Sequence, residues 1–212
     1  PHRDKREVYR GEAKSGTTHF HAYATCYFVR HGQRFTVALA RVELGTPMVE
    51  VVRLLLDRAR QAGIRPALLL LDRGFYAAEV VRYLQAARIP FILPVCFRGR
   101  KPSDPNGPSG TYVFKGAKQS GWQKYSWVSQ TGTRATITIC LHRCQVRRHG
   151  SNRVRLTTLV YACWGIEGRS TDWVRETYRK RFGIESSYRQ MNQGRGRTTS
   201  RRPHWRLLYA AL

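Results

Sequence analysis

The sequence predicts a mixed α/β fold, in which a sheet is flanked by helices and the chain carries a β-rich insertion. Two observations support this prediction. Between residues 19 and 95, extended and helical patterns alternate, an order typical of a mixed sheet covered by helices. Between residues 111 and 163, the pattern is β-like instead. The 212 residues suffice for one domain with a real core, or for a domain with a large insertion.

The first elements are a predicted hairpin and a helix. Residues 19–30 and 34–44 have extended character and are separated by His31-Gly32, which suits a short turn. The dozen residues at the start are polar and are expected to be loose. Thr46-Pro47 predicts the start of a helix with a threonine N-cap, and Gly63 predicts its end.

The next elements are two strands joined by a helix. The continuous apolar run at residues 67–71 predicts a strand covered on both faces, and this strand ends at Asp72. Apolar residues at helical spacing between Ala77 and Leu84 predict a helix, and residues 90–95 predict a second buried strand.

The remaining chain is predicted to form an insertion and then a long helix. Loop-forming residues 97–110 precede the β-rich region, whose best strands are 133–140 and 154–163. A helix capped by Ser170 or Thr171 is expected to run to about Asn192, before a basic segment and a last helix at Trp205. The expected organisation is a first part of the core at 1–95, an insertion at 96–166 and the rest of the core at 167–212.

Composition limits the classes of function. The chain has 38 Lys and Arg against 13 Asp and Glu, a formal charge of +25, which favours a nucleic-acid partner over an anionic membrane. An apolar content of 42% excludes a disordered tail, and no apolar run approaches the roughly 20 residues of a membrane span. Five cysteines without a disulfide framework fit a reducing compartment.

Two acidic residues stand out from the others, which have ordinary structural explanations. Asp72 lies at the carboxyl end of a predicted buried strand, where α/β sheets bind ligands, although an aspartate there also serves as a helix cap or turn former. At about 100° per residue, the predicted last long helix places Glu185 on one narrow stripe, with Phe182 away from it. The other members of that stripe are Tyr178, Arg181, Arg189 and Asn192.

The stripe has two interpretations. It is either an ordinary solvated helix face with a Glu185–Arg189 ion pair, or part of a functional site. Paired with Asp72, Glu185 would provide hard oxygen ligands for Mg²⁺ or Mn²⁺. Divalent ions held in this way stabilise the attacking and leaving oxygens in phosphodiester chemistry, and neighbouring arginines bind phosphates.

The motif Tyr178-x₂-Arg181-x₃-Glu185 resembles the signature of insertion-sequence DDE transposases of the Tn-five-like branch. Residues 69–75 resemble the strand and turn that carry the second catalytic aspartate of that family. The predicted order of elements is also similar to that of the family: a hairpin, a helix, a strand, a helix, a strand, the insertion and the helix with the glutamate. The resemblance implies a ribonuclease H-like fold, DNA cleavage at transposon ends and transfer of the freed 3′-hydroxyl to target DNA.

The resemblance also implies roles for individual residues. Asp72 and Glu185 would hold Mg²⁺ or Mn²⁺, while Tyr178 and Arg181 would contact DNA phosphates. The family has a lysine seven residues after the glutamate, where this chain has Asn192, so Arg189 or Arg195 is the candidate cation. The family's first aspartate precedes the hairpin. We therefore expect this sequence to hold two of the three acids and to be inactive alone.

Further expectations concern partners and alternatives. We expect binding to transposon ends and target DNA, a homodimer in the DNA complex, no membrane association, and a location in the cytoplasm with the nucleoid of a prokaryotic host. Trp122 and Trp127 either stack on unpaired bases or pack in the core. Cys140-x-His142-x-Cys144 lacks a common zinc spacing. The alternative function is a non-catalytic nucleic-acid-binding module or an inactivated relic.

Overall fold

The structure is a computed structural model that describes residues 9–14, 17–20, 22–30, 33–147 and 154–183. The chain divides into two compact units, and the second of them, Pro66–Phe182, contains Asp72. The described part of the first unit reaches from residue 9 to Arg65 and includes Gly183.

The described residues of the first unit form two hairpins and a helix. Strands β1 (Tyr9–Lys14) and β2 (Thr17–Phe20) pair antiparallel, as do β3 (Ala22–Arg30) and β4 (Gln33–Val42), and helix α1 spans Met48–Gln61. The β3–β4 pair confirms the predicted hairpin. The expectation that the first dozen residues are loose was wrong for β1, because its backbone groups pair with those of β2.

Helix α1 differs from the prediction at its start and agrees at its end. Pro47 is the N-cap residue and no side chain caps the helix, whereas Thr46 uses its backbone N–H to close a turn on the Glu43 carbonyl. The predicted threonine cap was therefore wrong. Gly63 ends the helix as predicted, since its φ of +76° suits glycine and its N–H donates to the Arg60 carbonyl.

The second unit is a five-stranded mixed sheet with helices α2 (Ala78–Ala86) and α3 (Thr171–Arg179). The strand order is β5-β6-β9-β8-β7, in which β5 and β6 are parallel and the other neighbours are antiparallel. These strands are β5 (Leu69–Leu70), β6 (Phe91–Pro94), β7 (Gly121–Val128), β8 (Arg134–Arg147) and β9 (Val154–Trp164). The predicted mixed α/β class with a β-rich insertion is confirmed, and the inserted strands extend the core sheet through β6.

The core of this unit centres on β6, β8 and β9. Phe91, Ile92 and Leu93 of β6 are fully buried, as predicted for residues 90–95. Val174 and Tyr178 of α3 pack into a buried cluster with residues of the sheet. Leu69 and Leu70 are only half-buried, so the prediction of a strand covered on both faces was wrong for β5, which is the edge strand of this sheet.

The last described helix begins as predicted, and its predicted continuation to about Asn192 lies outside the described residues beyond Gly183. Ser170 is its N-cap, as the sequence indicated, because its hydroxyl accepts the Trp173 N–H. The α-helix ends at Arg179 and a 3-10 turn follows over Lys180–Phe182. Four predicted site residues lie outside the described residues, namely Glu185, Arg189, Asn192 and Arg195. Within the part that the structure describes, no helix is long and apolar enough to cross a membrane.

Candidate active site

Asp72 lies directly after β5, at the carboxyl end of the strand. The Leu71 N–H donates to the Ile92 carbonyl, so the sheet holds the backbone just before the acid. Asp72 precedes the 3-10 turn Arg73–Phe75, and its carbonyl accepts the Phe75 N–H, but its side chain makes no capping hydrogen bond. The carboxylate is 62% exposed. The backbone therefore forms the turn, and the side chain remains accessible to a ligand.

Tyr178 anchors helix α3 to this strand. Its hydroxyl donates to the Leu71 carbonyl at 3.2 Å, and its side chain is buried against the ring of Tyr161, with 5.2 Å between ring centroids. Burial raises the pKa of Tyr178 to about 12, so the phenol stays protonated and remains a donor. Tyr178 thereby fixes the residue immediately before Asp72.

Arg181 reaches the same acid from the 3-10 turn. Its Nη2 lies 3.7 Å from Oδ1 of Asp72, and the side chain is 14% exposed. The guanidinium carbon lies 5.5 Å from the ring centroid of Tyr178 and 5.1 Å from that of Phe182. These rings hold the guanidinium by cation–π contact. The expectation that Phe182 lies away from Tyr178 and Arg181 was wrong, because its ring contacts the Arg181 guanidinium and lies 6.3 Å from the Tyr178 ring.

The structure thus brings three of the predicted site residues together: Asp72, Tyr178 and Arg181. The sequence predicted that Tyr178 and Arg181 share a face, because they are three residues apart on a helix. It did not reveal the Leu71 carbonyl as a partner. A backbone acceptor carries no residue-type signal, and only the fold places it against α3.

The carboxylate at this position is of the ligand type that suits a hard divalent cation. Carboxylate oxygens are the ligands that Mg²⁺ and Mn²⁺ prefer, and Asp72 presents one accessible carboxylate. Among the described residues, no group of three His, Cys, Asp or Glu side chains is placed to hold a metal ion. Asp72 is therefore suited to be one ligand of a site completed by other residues, with Glu185 as the candidate from the sequence.

The other sequence-predicted residues occupy packed positions. Trp127 stacks on Tyr76 at 5.3 Å and on Tyr125 at 5.8 Å, and Trp122 packs against the buried cluster of β8, β9 and α3. These contacts favour packing over base stacking. His142 is buried, with Nδ1 3.5 Å from the Thr171 hydroxyl and 3.9 Å from Asp172, so its surroundings are those of a core histidine beside a helix start.

The cysteines beside His142 give no support to a zinc site. Burial raises the pKa of the Cys140 thiol to about 12, which disfavours the thiolate that zinc requires. Within the described part of the chain these side chains belong to no three-ligand cluster.

Comparison with known proteins identifies the family. The family described as Transposase DDE domain matches residues 13–208, which is most of the chain. No curated protein matches the chain. The matched range includes the mixed sheet, Asp72 and the helix that carries Tyr178 and Arg181. The chain therefore belongs to the transposase DDE domain family, whose members bind DNA and catalyse its transposition.

Proposed function

We propose that this chain is the catalytic part of an insertion-sequence transposase of the Tn-five-like branch. Its reaction is metal-dependent phosphodiester cleavage at transposon ends, followed by strand transfer to target DNA. The observation that supports this proposal most strongly is the environment of Asp72. The acid is exposed at the end of β5, and both described residues of the Tyr-x₂-Arg-x₃-Glu motif act on it, Arg181 directly and Tyr178 through Leu71.

Asp72 and Glu185 would hold Mg²⁺ or Mn²⁺ in this site. When bound, such ions stabilise the negative charge that develops on the attacked phosphate. Asp72 would bind through the oxygen atoms that the solvent now reaches. Tyr178 would keep the end of β5 in place, because the hydrogen bond to Leu71 limits movement of the next residue. Tyr178 is then a positioning residue.

Arg181 would neutralise Asp72 before the site is filled and would then turn toward a DNA phosphate. The contact distance of 3.7 Å and the aromatic rings on the guanidinium are compatible with a contact that can be exchanged. Arg189, Arg195 and Asn192 would bind phosphates farther along the DNA. Planar guanidinium groups suit this role because they bind phosphate through two parallel hydrogen bonds.

We further propose that the site needs a third acid, carried on a strand that pairs with the outer edge of β5. In the described sheet, β5 is the edge strand and pairs only with β6. Two divalent ions close together repel each other and require bridging anions, and Asp72 and Glu185 supply only two carboxylates. A cleaving site would therefore need a third carboxylate beside those of Asp72 and Glu185.

The assembly and location of the protein are also proposals. We propose a homodimer in the DNA complex and action in the cytoplasm of a prokaryotic host, at its nucleoid. All five cysteines are free, which agrees with a reducing compartment. The basic composition agrees with a polyanionic partner.

A nicking assay on supercoiled plasmid with Mn²⁺ or Mg²⁺ tests the catalytic proposal. Protein that carries all three acids is expected to cleave. In that protein, Asp72→Asn should lower cleavage by at least ~10³-fold, whereas Glu79→Gln should leave it unchanged. Full activity of the Asp72→Asn variant would refute the site.

The alternative function, a non-catalytic nucleic-acid-binding module, makes a different prediction. Phosphate binding needs cations and does not need paired carboxylates. A module of that kind would bind DNA in EDTA as well as in Mn²⁺, and Asp72→Asn would strengthen binding slightly by removing a negative charge.

A further inference from the structure

The outer ends of β8 and β9 form a two-stranded ribbon. Residues 143–147 pair with residues 154–158, from Arg143↔Thr158 to Arg147↔Val154. Pairing with β7 stops at Leu141, and the strand pairing of β9 with β6 stops at Tyr161. In the described part of the chain, no third strand continues along these ten residues, which we call the outer ribbon.

Both faces of the outer ribbon are open to solvent at the pairs Gln145–Leu156 and Val146–Arg155. Val146 and Arg155 are paired and lie on one face, while Gln145 and Leu156 are paired and lie on the other. All four are exposed, including Leu156 at 55% and Val146 at 44%. A strand pair that covers a core would bury one face. These residues instead mix apolar and cationic side chains on a projecting element.

The charge of this region has one sign. The three strands β7, β8 and β9 contain no Asp or Glu, and the outer ribbon carries Arg143, Arg147 and Arg155. An acid, Asp172, lies near the end of the outer ribbon that joins the sheet, with its Oδ1 3.9 Å from Nδ1 of His142. A surface of this kind attracts a polyanion and repels a second copy of itself.

The base of the ribbon is fixed to the preceding segment. The Arg143 N–H donates to the Ser120 hydroxyl at 2.9 Å, and the Arg143 guanidinium donates to the Lys118 carbonyl. On the other strand, the Thr158 hydroxyl donates to the Ala117 carbonyl at 2.9 Å. These hydrogen bonds fix the orientation of the outer ribbon relative to the sheet. Because the ribbon is oriented before a partner binds, the entropic cost of binding is lower.

We propose that the outer ribbon inserts into a groove of duplex DNA. Two strands lie roughly 4.8 Å apart, and the major groove, about 12 Å wide, admits a two-stranded ribbon. Five residues at about 3.3 Å each give a length of roughly 16 Å. In this position the face with Val146 and Arg155 lies along one groove wall, and the face with Gln145 and Leu156 lies along the other. This inference rests on DNA as the partner and does not depend on the catalytic proposal.

The test is a DNA-binding titration at several salt concentrations with charge-matched variants. Gln145→Glu/Arg155→Glu changes the charge on both faces of the ribbon by three units. Gln123→Glu/Lys124→Glu makes the same change at exposed positions of β7. The ribbon variant should bind DNA at least ~10-fold more weakly. Its slope of log affinity against log salt concentration should be shallower by about 0.9, because one phosphate contact is lost. The β7 variant should keep the wild-type slope.

Two further variants separate charge from folding. Arg155→Lys retains the cation and should keep the wild-type slope, while circular dichroism confirms that each variant folds. Leu156→Ser should weaken binding and leave the slope unchanged, because it removes an apolar contact only.

Equal slopes for the ribbon and β7 variants would overturn the proposal. It would also be overturned if sedimentation showed that the ribbon variant abolishes self-association and leaves DNA binding intact, since the ribbon would then bind a second copy. A wild-type chain without salt-dependent DNA binding would overturn DNA as the partner as well. The metal-dependent nicking assay would still test catalysis separately.

Discussion

Two acids that are seven residues apart, Asp72 and Glu79, have opposite surroundings. Oε1 of Glu79 accepts hydrogen bonds from the hydroxyls of Ser129 and Thr131, each at 2.6 Å. Those hydrogen bonds lower the pKa of Glu79 to about 2. Asp72 makes no capping hydrogen bond, is 62% exposed, and has the Arg181 guanidinium 3.7 Å from its Oδ1.

The difference separates a structural acid from one that is available to a ligand. The hydroxyls around Glu79 tie the first turn of α2 to the turn between β7 and β8, and both of them bind Oε1. A carboxylate oxygen that already accepts two hydrogen bonds stabilises the fold and is a poor metal ligand. Asp72 contributes little to stability and keeps its lone pairs for a cation. The sequence alone did not distinguish Glu79 from a solvated helix acid, because its partners lie about fifty positions away.

The largest expected effect concerns metal binding. Asp72→Asn should weaken Mn²⁺ binding by at least ~100-fold, since even loss of a residue that supports a ligand costs 10–100-fold. Glu79→Gln should leave Mn²⁺ binding unchanged. Electron paramagnetic resonance titration of free Mn²⁺ measures both affinities. If both variants lost Mn²⁺ affinity equally, Asp72 would be no better a metal ligand than Glu79.

The next largest effect is on the free energy of unfolding. Here the substitution of Glu79 should matter and that of Asp72 should not. Glu79→Ala should lower the free energy of unfolding by about 2 kcal/mol, because two hydrogen bonds to a charged acceptor are lost. Asp72→Asn should change it by less than about 0.5 kcal/mol. Urea denaturation of both variants at pH 7 measures the difference, and a larger loss for Asp72→Asn would contradict it.

The Glu79 contribution also has a defined pH dependence. The pKa of Glu79 falls from 4.5 to about 2 on folding, so its stabilisation is fully present above about pH 4.5 and is lost as the pH falls toward 2. Unfolding curves of the wild type should therefore approach those of Glu79→Gln in this window. If the difference in unfolding free energy between the wild type and Glu79→Gln did not change with pH, the hydroxyls would not stabilise the charged form of Glu79.

A smaller effect is expected from the tyrosine that anchors the Asp72 segment. Tyr178→Phe removes the donor to the Leu71 carbonyl and should cost about 1 kcal/mol of stability. It should also weaken Mn²⁺ binding, which a purely structural role would not require. Tyr112→Phe is the control, since the Tyr112 ring contacts Phe97 instead. Unchanged Mn²⁺ affinity in Tyr178→Phe would show that this tyrosine does not position Asp72.

The smallest expected effect comes from Arg181. Arg181→Gln removes a cation that competes for Asp72 and should strengthen Mn²⁺ binding by about threefold, within the range of exposed ion pairs. It should weaken DNA binding at the same time. Arg179→Gln, which removes a cation paired with Glu176, is the matched control. A loss of Mn²⁺ affinity in Arg181→Gln would mean that the arginine supports the metal site.

The sequence predicted the elements whose signals are local. The β3–β4 hairpin, the end of α1 at Gly63, the buried strand β6 and the Ser170 cap each depend on a few neighbouring residues, and all are confirmed. The Thr46 cap was wrong because a turn on Glu43 uses its backbone. Of the run 67–71 only Leu71 is buried, because β5 is an edge strand of the described sheet, which an apolar run cannot reveal.

The candidate site was predictable in its residues and less so in its contacts. Residue types and spacing indicated Asp72, Tyr178 and Arg181, and the structure brings them together. The bond from Tyr178 to a backbone carbonyl and the packing of Trp127 on Tyr76 depend on tertiary contacts between distant segments. The outer ribbon was also missed, because its exposure depends on where β6 and β7 stop pairing.

The most direct test of the shared metal site is a double-mutant cycle on Mn²⁺ affinity with Asp72→Asn and Glu185→Gln. If both carboxylates hold the same ion, each single variant should lose most of the affinity, and the double variant should be hardly weaker than either. The coupling free energy would then exceed about 1 kcal/mol. Additive losses, or wild-type affinity in either single variant, would contradict a metal site shared by Asp72 and Glu185.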